Sequence, residues 1–464
     1  MGFPRSPTLV TYRAILYICG TIHIVLENNL VVLGGGWAGL LVAKKLSDAG
    51  VKSISILEAS KEGEQGGLLK SEMINGFTFD CGGPHLLFSR DKEILSYITD
   101  LLHQNYYLGV RKNFVFYKNQ YIPYPFENGV YQLPPEDRVK FIKGIMERMI
   151  FIAKNDDWKP KNFLDWILGF FGENMAEEYL IPYNKKIWKR PLDMIAADWV
   201  FSPGRLPFPE LENMLMTVAG ISNVGYKEQA NFYYPSIGGI EALFQSLYNK
   251  IRIAGVQTIG GEKVDTVRLT NSNVFNINGR ILARKLISTI PIPELLLAIN
   301  EDDYKDLAER FDYNSVVVVG VAIKGRTPDQ TAIYVPDHKI IFHRYTWMSY
   351  LTPPKDRSLS NLIAEVTIPK GEKYNMEQIT EKVVRGLLDM CVIKDESDVL
   401  FTKAWLNKYG YPIYSLDHNK IREDALRMLD NYGIKTVGRW GSWHYWNTDM
   451  VVKAVNLIST SNNY

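Results

Sequence analysis

Apolar and polar positions follow two rhythms along the chain. Leu30–Leu33 is an unbroken apolar run, the pattern of a strand buried on both faces. Leu40 to Ala49 then carry apolar residues at helical spacing, and Gly50 stops that helix. Ser53–Leu57 is the next strand-like run, ending at Glu58. "KNFVFY" and "QYIPYP" flank Lys118-Asn119, which predicts a hairpin within Arg111–Pro125. Pro134–Lys154 has helical period with proline at its start, and helical pattern continues through Lys161–Leu180 and on to about Leu215. A helix opened by Gly238 and Gly239 follows. Short strand signals then lie at Lys263–Leu269, Val274–Ile277 and Leu286–Ile290, the last able to rejoin the first sheet. "SVVVVGVAIKG", "TAIYVP" and "NLIAEVTI" predict an antiparallel sheet. Asn375–Met390 and Asn419–Asn431 read as helices, and "IKTVGRWG" as a last strand running into glycine.

One of these strand–helix junctions carries chemistry. Gly34, Gly36 and Gly39 have GxGxxG spacing between the first strand and the first helix. Gly34 suits the tight turn, Gly36 lets backbone approach a pyrophosphate, and Gly39 lets helix and strand pack closely. The helix N-terminus faces phosphate charge, and Glu58 is placed for ribose hydroxyls. The fingerprint alone does not separate NAD from FAD. Two further glycine-rich turns, Gly66-Gly67 and Gly82-Gly83-Pro84-His85, favour a long dinucleotide such as FAD.

The predicted class is therefore α/β: a discontinuous Rossmann-like FAD-binding domain with an inserted helical domain and an inserted antiparallel sheet domain. The FAD-binding part takes residues 29–110, 236–312 and 433–464. The helical substrate domain takes 132–215, and the sheet domain 111–131, 216–235 and 313–432. Residues 1–28 are expected to be a leader outside the fold. Their apolar stretch, Ala14–Leu26, has 13 residues, short of the ~20 that span a bilayer. No stable membrane insertion is expected.

Composition narrows the function classes. The chain of 464 residues is 46% hydrophobic and 22% charged, ordinary for a globular protein. A net charge of +2 gives no general pull toward nucleic acid. Cys19, Cys81 and Cys391 are far apart, which excludes a disulfide framework, and the histidines form no HExxH pattern, so no metal is expected. Late arginines and tyrosines, among them Arg205, Arg344, Arg439, Tyr124, Tyr334, Tyr350, Tyr411 and Tyr445, offer bidentate phosphate binding and neutral donors. Their spacing does not place them in one pocket.

Several strings are more specific. "YIPYPFENGVYQLPPEDRVKFIKGI", "YLIPYNKKIWKRPLDMIAADW", "FHRYTWMSYLTP", "YGYPIYSLDH" and "GRWGSWHYWNTDM" are similar to segments of one family. From about Leu30 to Leu457 the chain resembles the UDP-galactopyranose mutases, most closely their eukaryotic-type branch, within the wider amine oxidase and protoporphyrinogen oxidase-like flavin group. The resemblance implies an enzyme that interconverts UDP-galactopyranose and UDP-galactofuranose on reduced FAD. The flavin N5 acts as nucleophile through a covalent flavin–sugar intermediate, without net redox. It implies a UDP-sugar substrate, an electron donor such as NAD(P)H and a cytoplasmic setting, and leaves a homo-oligomer open. The alternative is an FAD-dependent oxidoreductase of the protoporphyrinogen or amine oxidase type.

Carried onto this chain, the resemblance makes Arg205 and Arg344 the diphosphate-holding arginines and His85 the histidine facing the flavin. Tyr334, Tyr350, Tyr411 and Tyr445 surround diphosphate and sugar. Tyr124 and Phe126 meet the uracil, Asn184 and Trp188 the uridine side, and Gln229 and Asn447 the sugar. Implied flavin contacts are Gly34, Gly36, Trp37, Ala38, Gly39, Glu58, Ala59, Gly66, Gly67, Leu68, Gly83, His85, Val264, Gly438, Arg439, Asp449 and Met450. Asn447 or Thr448 is expected to cap the last helix, and Trp440 and Trp443 to pack in the core. One departure stands out: Glu127 replaces the amide that the family's PYPFQN segment would offer to uracil.

Overall fold

The structure is a computed structural model that describes residues 13–18, 21–201, 208–223 and 230–459. The chain divides into two compact units, Met1–Gly66 with Leu247–Arg310 and Ile421–Tyr464, and Gly67–Ser246 with Phe311–Lys420. The stretches read from sequence as helical and sheet inserts lie in the second unit, except for residues 421–432, which belong to the first; the second unit also takes residues 67–110 and 236–246, which were expected in the FAD-binding part.

The first unit is built on a parallel sheet in the order Gln257–Gly260, Ile54–Glu58, Thr21–Leu33, Ile281–Ser288. Ile434–Thr436 adds in parallel beside Leu286–Ser288. Two antiparallel strands, Phe275–Ile277 and Val267–Leu269, extend the sheet at the start of Ile281–Ser288. The chain runs outward from Thr21–Leu33 through two strands on one side, then returns to the other side at Ile281–Ser288. This reversal is the switch point at which doubly wound sheets open a crevice at their carboxyl ends. Leu30–Leu33 are buried on both faces, as their unbroken apolar pattern predicts.

The first long strand begins earlier than Leu30. Ile281–Ala283 offer their edge to Leu26–Asn28, so pairing continues back along Thr21–Leu33, and Arg13–Ile18 pairs antiparallel with its start. These backbone segments fall within the expected leader; they are strands, which corrects that expectation for residues 13–18 and 21–28.

The second unit carries a seven-stranded sheet. Its order is Val399–Pro412, Tyr313–Lys324, Leu359–Pro369, Arg344–Trp347, Ala332–Tyr334, Phe114–Tyr117, Gln120–Pro123. The predicted hairpin turns at Lys118 and Asn119, both with positive φ (46° and 60°), as a tight two-residue hairpin needs. The sheet is mixed rather than wholly antiparallel, because Ile333 and Tyr334 pair in parallel with Phe114 and Val115. The hairpin joins this edge from far away in the chain, so no short turn dictates its direction.

On one face of the sheet Tyr345, Trp347, Ala364 and Val366 pack with Ile379, Val383 and Leu387 of helix Met376–Asp389 in a continuous core. Successive strand residues point to opposite faces, so Arg344 and Glu365 emerge on the other side. Helices Pro135–Lys154, Phe163–Met175 and Ile181–Trp188 belong to the same unit. Among the described residues, no helix is long and apolar enough to cross a membrane.

Candidate functional site

The first unit presents a cradle made of backbone. Gly34 has φ +94°, and a Cβ there would lie 2.6 Å from Thr289 Oγ1. A Cβ on Gly39 would lie 1.9 Å from the Gly34 carbonyl oxygen, so only glycine lets the helix Trp37–Asp48 sit this close to the turn. Gly36 is different: it is the N-cap, and nothing lies within 4 Å of where its Cβ would be. Open space in front of a helix N-terminus suits the diphosphate of a dinucleotide. Glu58 accepts the Gly35 N–H at 2.7 Å and the Ser60 N–H at 2.8 Å. An ionised carboxylate has acceptor capacity for about four bonds, so two amides leave room for ribose hydroxyls.

The C-terminal segment packs back onto this cradle. A Cβ on Gly438, with φ +96°, would lie 2.5 Å from Ala38 Cβ, and one on Gly441 would lie 2.8 Å from the Ser288 carbonyl. These two glycines are therefore required by contact with the fingerprint helix and the strand Ile281–Ser288. Trp37 donates its indole N–H to the Thr448 carbonyl at 3.2 Å and is nearly buried, so it ties two helix starts together. Arg439 lies over the rings of Tyr445 (4.6 Å) and Trp440 (5.2 Å) and donates to the Trp446 carbonyl. Asn447 occupies the N-cap of Thr448–Asn456 but makes no side-chain capping bond, which corrects the expected cap; Asp449 and Met450 lie in the first turn. Trp443 is buried as expected, and Trp440 packs on it at 5.5 Å. Ala59 is exposed after Glu58, Val264 is half-buried before Val267–Leu269, and Gly66 has φ +137°.

The second unit presents a site made of side chains. Tyr334 and Arg344 are register partners, and so are Arg344 and Glu365. Directly opposite residues share a face, so three neighbouring strands place Tyr334, Arg344 and Glu365 in one row. Arg344 donates from Nε to Glu365 Oε1 and from Nη2 to Oε2, both at 2.8 Å, a two-pronged pair on a carboxylate that is only 3% exposed. Tyr411 donates its hydroxyl to Glu365 Oε2 at 3.3 Å. The Gly82-Gly83 turn that carries His85 abuts the same carboxylate, since a Cβ on Gly83 would lie 3.6 Å from Glu365 Oε2. That turn needs Gly82 too, whose Cβ would lie 2.2 Å from the Leu68 carbonyl; Gly67 nearby has φ +57°.

A strip of aromatic rings leads away from Arg344. Tyr183 lies 5.6 Å from Tyr334, Tyr124 lies 4.7 Å from Tyr334, and Tyr179 lies 5.8 Å from Tyr183. At its far end Glu127 is buried, and burial pushes its carboxyl up to about 7. His343 is also buried; burial and then the Arg344 charge hold its imidazole well below its ordinary range, so it is neutral beside the arginine. Lys186 donates to the carbonyls of Val335 (2.8 Å), Asp337 (2.8 Å) and Phe342 (2.7 Å). It clamps the loop between the Tyr334 and Arg344 strands.

The expected substrate residues divide. Tyr124, Tyr334, Tyr411 and Arg344 come together. Asn184 and Trp188 are nearby but turned inward: the Trp188 N–H donates to Asn184 Oδ1 at 3.2 Å, Asn184 Nδ2 donates to the Leu180 carbonyl, and Trp188 packs on Trp199. Phe126 is fully buried among Tyr117, Phe141 and Tyr179, so it supports the strip rather than offering a free face. Tyr350 is engaged elsewhere, donating to the Val110 carbonyl at 2.8 Å. Tyr445 and Asn447 belong to the first unit. Arg205 and Gln229 lie outside the described residues. Glu365 and Tyr183 are missing from the sequence-derived set. Glu365 could have been found as the single acid in the apolar run "NLIAEVTIP".

A switch-point cradle with glycine-only contacts defines the class: an α/β protein that binds a dinucleotide at the end of a fingerprint strand. Residues 37–433 match the flavin containing amine oxidoreductases, and the chain belongs to that family. It is therefore a flavoprotein of an enzyme family, and the Gly36 cradle fits the family's dinucleotide. A structure of reduced UDP-galactopyranose mutase is similar over 92% of each chain, with a TM-score of 0.82 and 25% identity. A putative protoporphyrinogen oxidase from Exiguobacterium sp. 255-15 shares the fold at TM-score 0.68 and 16% identity, over 92% of this chain and 97% of that one. Putrescine oxidase shares it at TM-score 0.62 and 14% identity, over 93% and 97%.

Proposed function

We propose that the chain is a UDP-sugar mutase that interconverts UDP-galactopyranose and UDP-galactofuranose with FAD in its reduced form. The observation that carries this reading is the Tyr334–Arg344–Glu365 row, in a fold that matches a UDP-galactopyranose mutase along nearly the whole of both chains. When bound, the reduced flavin supplies the nucleophile for the anomeric carbon. The protein's task is then to accept the negative charge of a departing diphosphate, which calls for fixed donors and cations.

Arg344 meets that need with a guanidinium fixed by its fork on Glu365, which leaves the Nη1 edge for phosphate oxygens. The Tyr334 hydroxyl stands beside it as a further donor, while the Tyr411 hydroxyl is spent on holding Glu365. Because Glu365 already balances the charge of Arg344, a diphosphate requires a second cation. Arg205 is assigned that role. His343, being neutral, adds no charge of its own, and Lys186 keeps the Arg344 strand in place. The tyrosine strip receives the nucleoside.

Purified protein with dithionite-reduced flavin should convert UDP-galactofuranose to UDP-galactopyranose. Absence of conversion, with bound reduced flavin verified by its spectrum, would contradict the proposal. Family membership favours one other reading, an oxidase or dehydrogenase of a small organic substrate. Steady acceptor reduction with such a substrate, and no affinity for UDP, would select it.

A further inference from the structure

Glu127 is the least satisfied acid in the described part of the second unit. It is 3% exposed, and its Oε1 is buried with no hydrogen-bond partner. A buried acceptor left unmade costs as much as a lost hydrogen bond, so a ligand group is the natural partner. Two further facts point to a flat ligand. The titratable groups that face Glu127 are Tyr124, just before its helix Phe126–Gly129, and Tyr179 in the turn Ala176–Leu180. Both are held neutral, with their hydroxyls well above the ordinary range because burial removes water. No charged side chain acts on Glu127 to hold it ionised. Tyr124 then packs against Tyr334 at 4.7 Å with the rings tilted by 41°, and Tyr334 shares its row with Arg344. A buried acid and a guanidinium thus stand at the two ends of one aromatic strip.

We propose that Glu127 acts as a carboxylic acid that selects the base of the nucleotide, by pairing its O–H and C=O with an imide edge. This rests on the reading that the strip receives a uridine nucleotide. An imide edge, as in uracil, sets an N–H donor beside a C=O acceptor. A neutral carboxyl presents the complement, an acceptor beside a donor, and closes a ring of two hydrogen bonds. A carboxylate presents two acceptors. It satisfies the N–H, faces the carbonyl with a like partial charge, and instead suits an edge with two adjacent donors, as in guanine. The acid therefore does the work of an amide only while it keeps its proton.

The test is the affinity of the flavin-loaded protein for UDP and GDP between pH 5.5 and 8.5, for wild type and Glu127→Gln. The ratio of wild-type to variant UDP affinity should be flat at low pH and fall toward tenfold per pH unit above about 7. The diphosphate's own titration is common to both proteins and cancels in that ratio. Wild-type preference for UDP over GDP should weaken over the same range, and that of Glu127→Gln should not. Calorimetry on both proteins, in two buffers of different ionisation enthalpy, should show that wild type takes up about one proton more per UDP than Glu127→Gln at pH 8 and the same number at pH 5.5. Equal pH profiles for the two proteins, or equal proton uptake at pH 8, overturn the role of Glu127 while UDP binding itself stands. No UDP binding by either protein at any pH overturns the nucleotide reading and this inference with it.

Discussion

The two candidate sites are built from opposite materials. The cradle around Gly34–Gly39 is backbone, closed by contacts that only a missing Cβ permits; its one side chain, Glu58, is held by the amides of Gly35 and Ser60. The row around Arg344 is side chains on three strands, with its charges balanced inside the protein by Glu365. A backbone site fails when an atom is added. A side-chain site fails when an atom or a charge is taken away, and fails further when the partner left behind is buried.

The largest effect should come from adding an atom to the cradle. Gly39→Ala sets a methyl 1.9 Å from the Gly34 carbonyl, which should cost more than about 4 kcal/mol and abolish flavin retention. Flavin absorbance of the purified variant reads this directly. Gly36→Ala is the contrast, since its Cβ meets open space: it should fold normally while weakening flavin binding.

Next comes removal of a charge from the row. Arg344→Ala leaves Glu365 unpaired at 3% exposure, which should cost about 3–5 kcal/mol in denaturant unfolding. Arg344→Ala combined with Glu365→Gln should recover most of that loss. Equal stabilities of the single and double variants would show that the pair does not couple.

A third break uses pH. Burial pushes the folded carboxyl of Glu127 up to about 7, above its ordinary value of 4.5. The folded state therefore holds its proton more firmly than the unfolded chain. Its contribution is fully present below about 4.5 and is lost as pH rises to about 7, in total roughly 3 kcal/mol. Glu127→Gln should remove this decline, so its advantage over wild type should grow from pH 4.5 to 7 and then level off. The smallest effect should be that of Tyr350→Phe, which loses one bond to the Val110 carbonyl: about 1 kcal/mol in stability and little change in UDP affinity.

The cradle was legible because its determinants are local. Spacing of three glycines, one strand and one helix fixes it, and the acid that ends the next strand follows in register. The row was only half legible. Arg344 and Tyr334 could be named through a family resemblance, but their pairing is a matter of strand register between distant segments. Glu365 was hidden because its strand is buried on both faces, so no alternation marks the side on which it emerges. Phe126, Asn184 and Trp188 show a second limit. Aromatic and amide residues suit a ligand or a core equally well, and only their burial and internal hydrogen bonds in the fold decide between them.

The central claim is that the Arg344 row takes the diphosphate of a uridine nucleotide. The direct measurement is calorimetric titration of the reduced, flavin-loaded protein with UDP and with uridine, for wild type and for Arg344→Ala combined with Glu365→Gln. UDP affinity should fall about a hundredfold in the double variant, the loss of a charge-assisted fork, while uridine affinity stays as it was. A folded double variant that binds UDP as tightly as wild type would contradict the account.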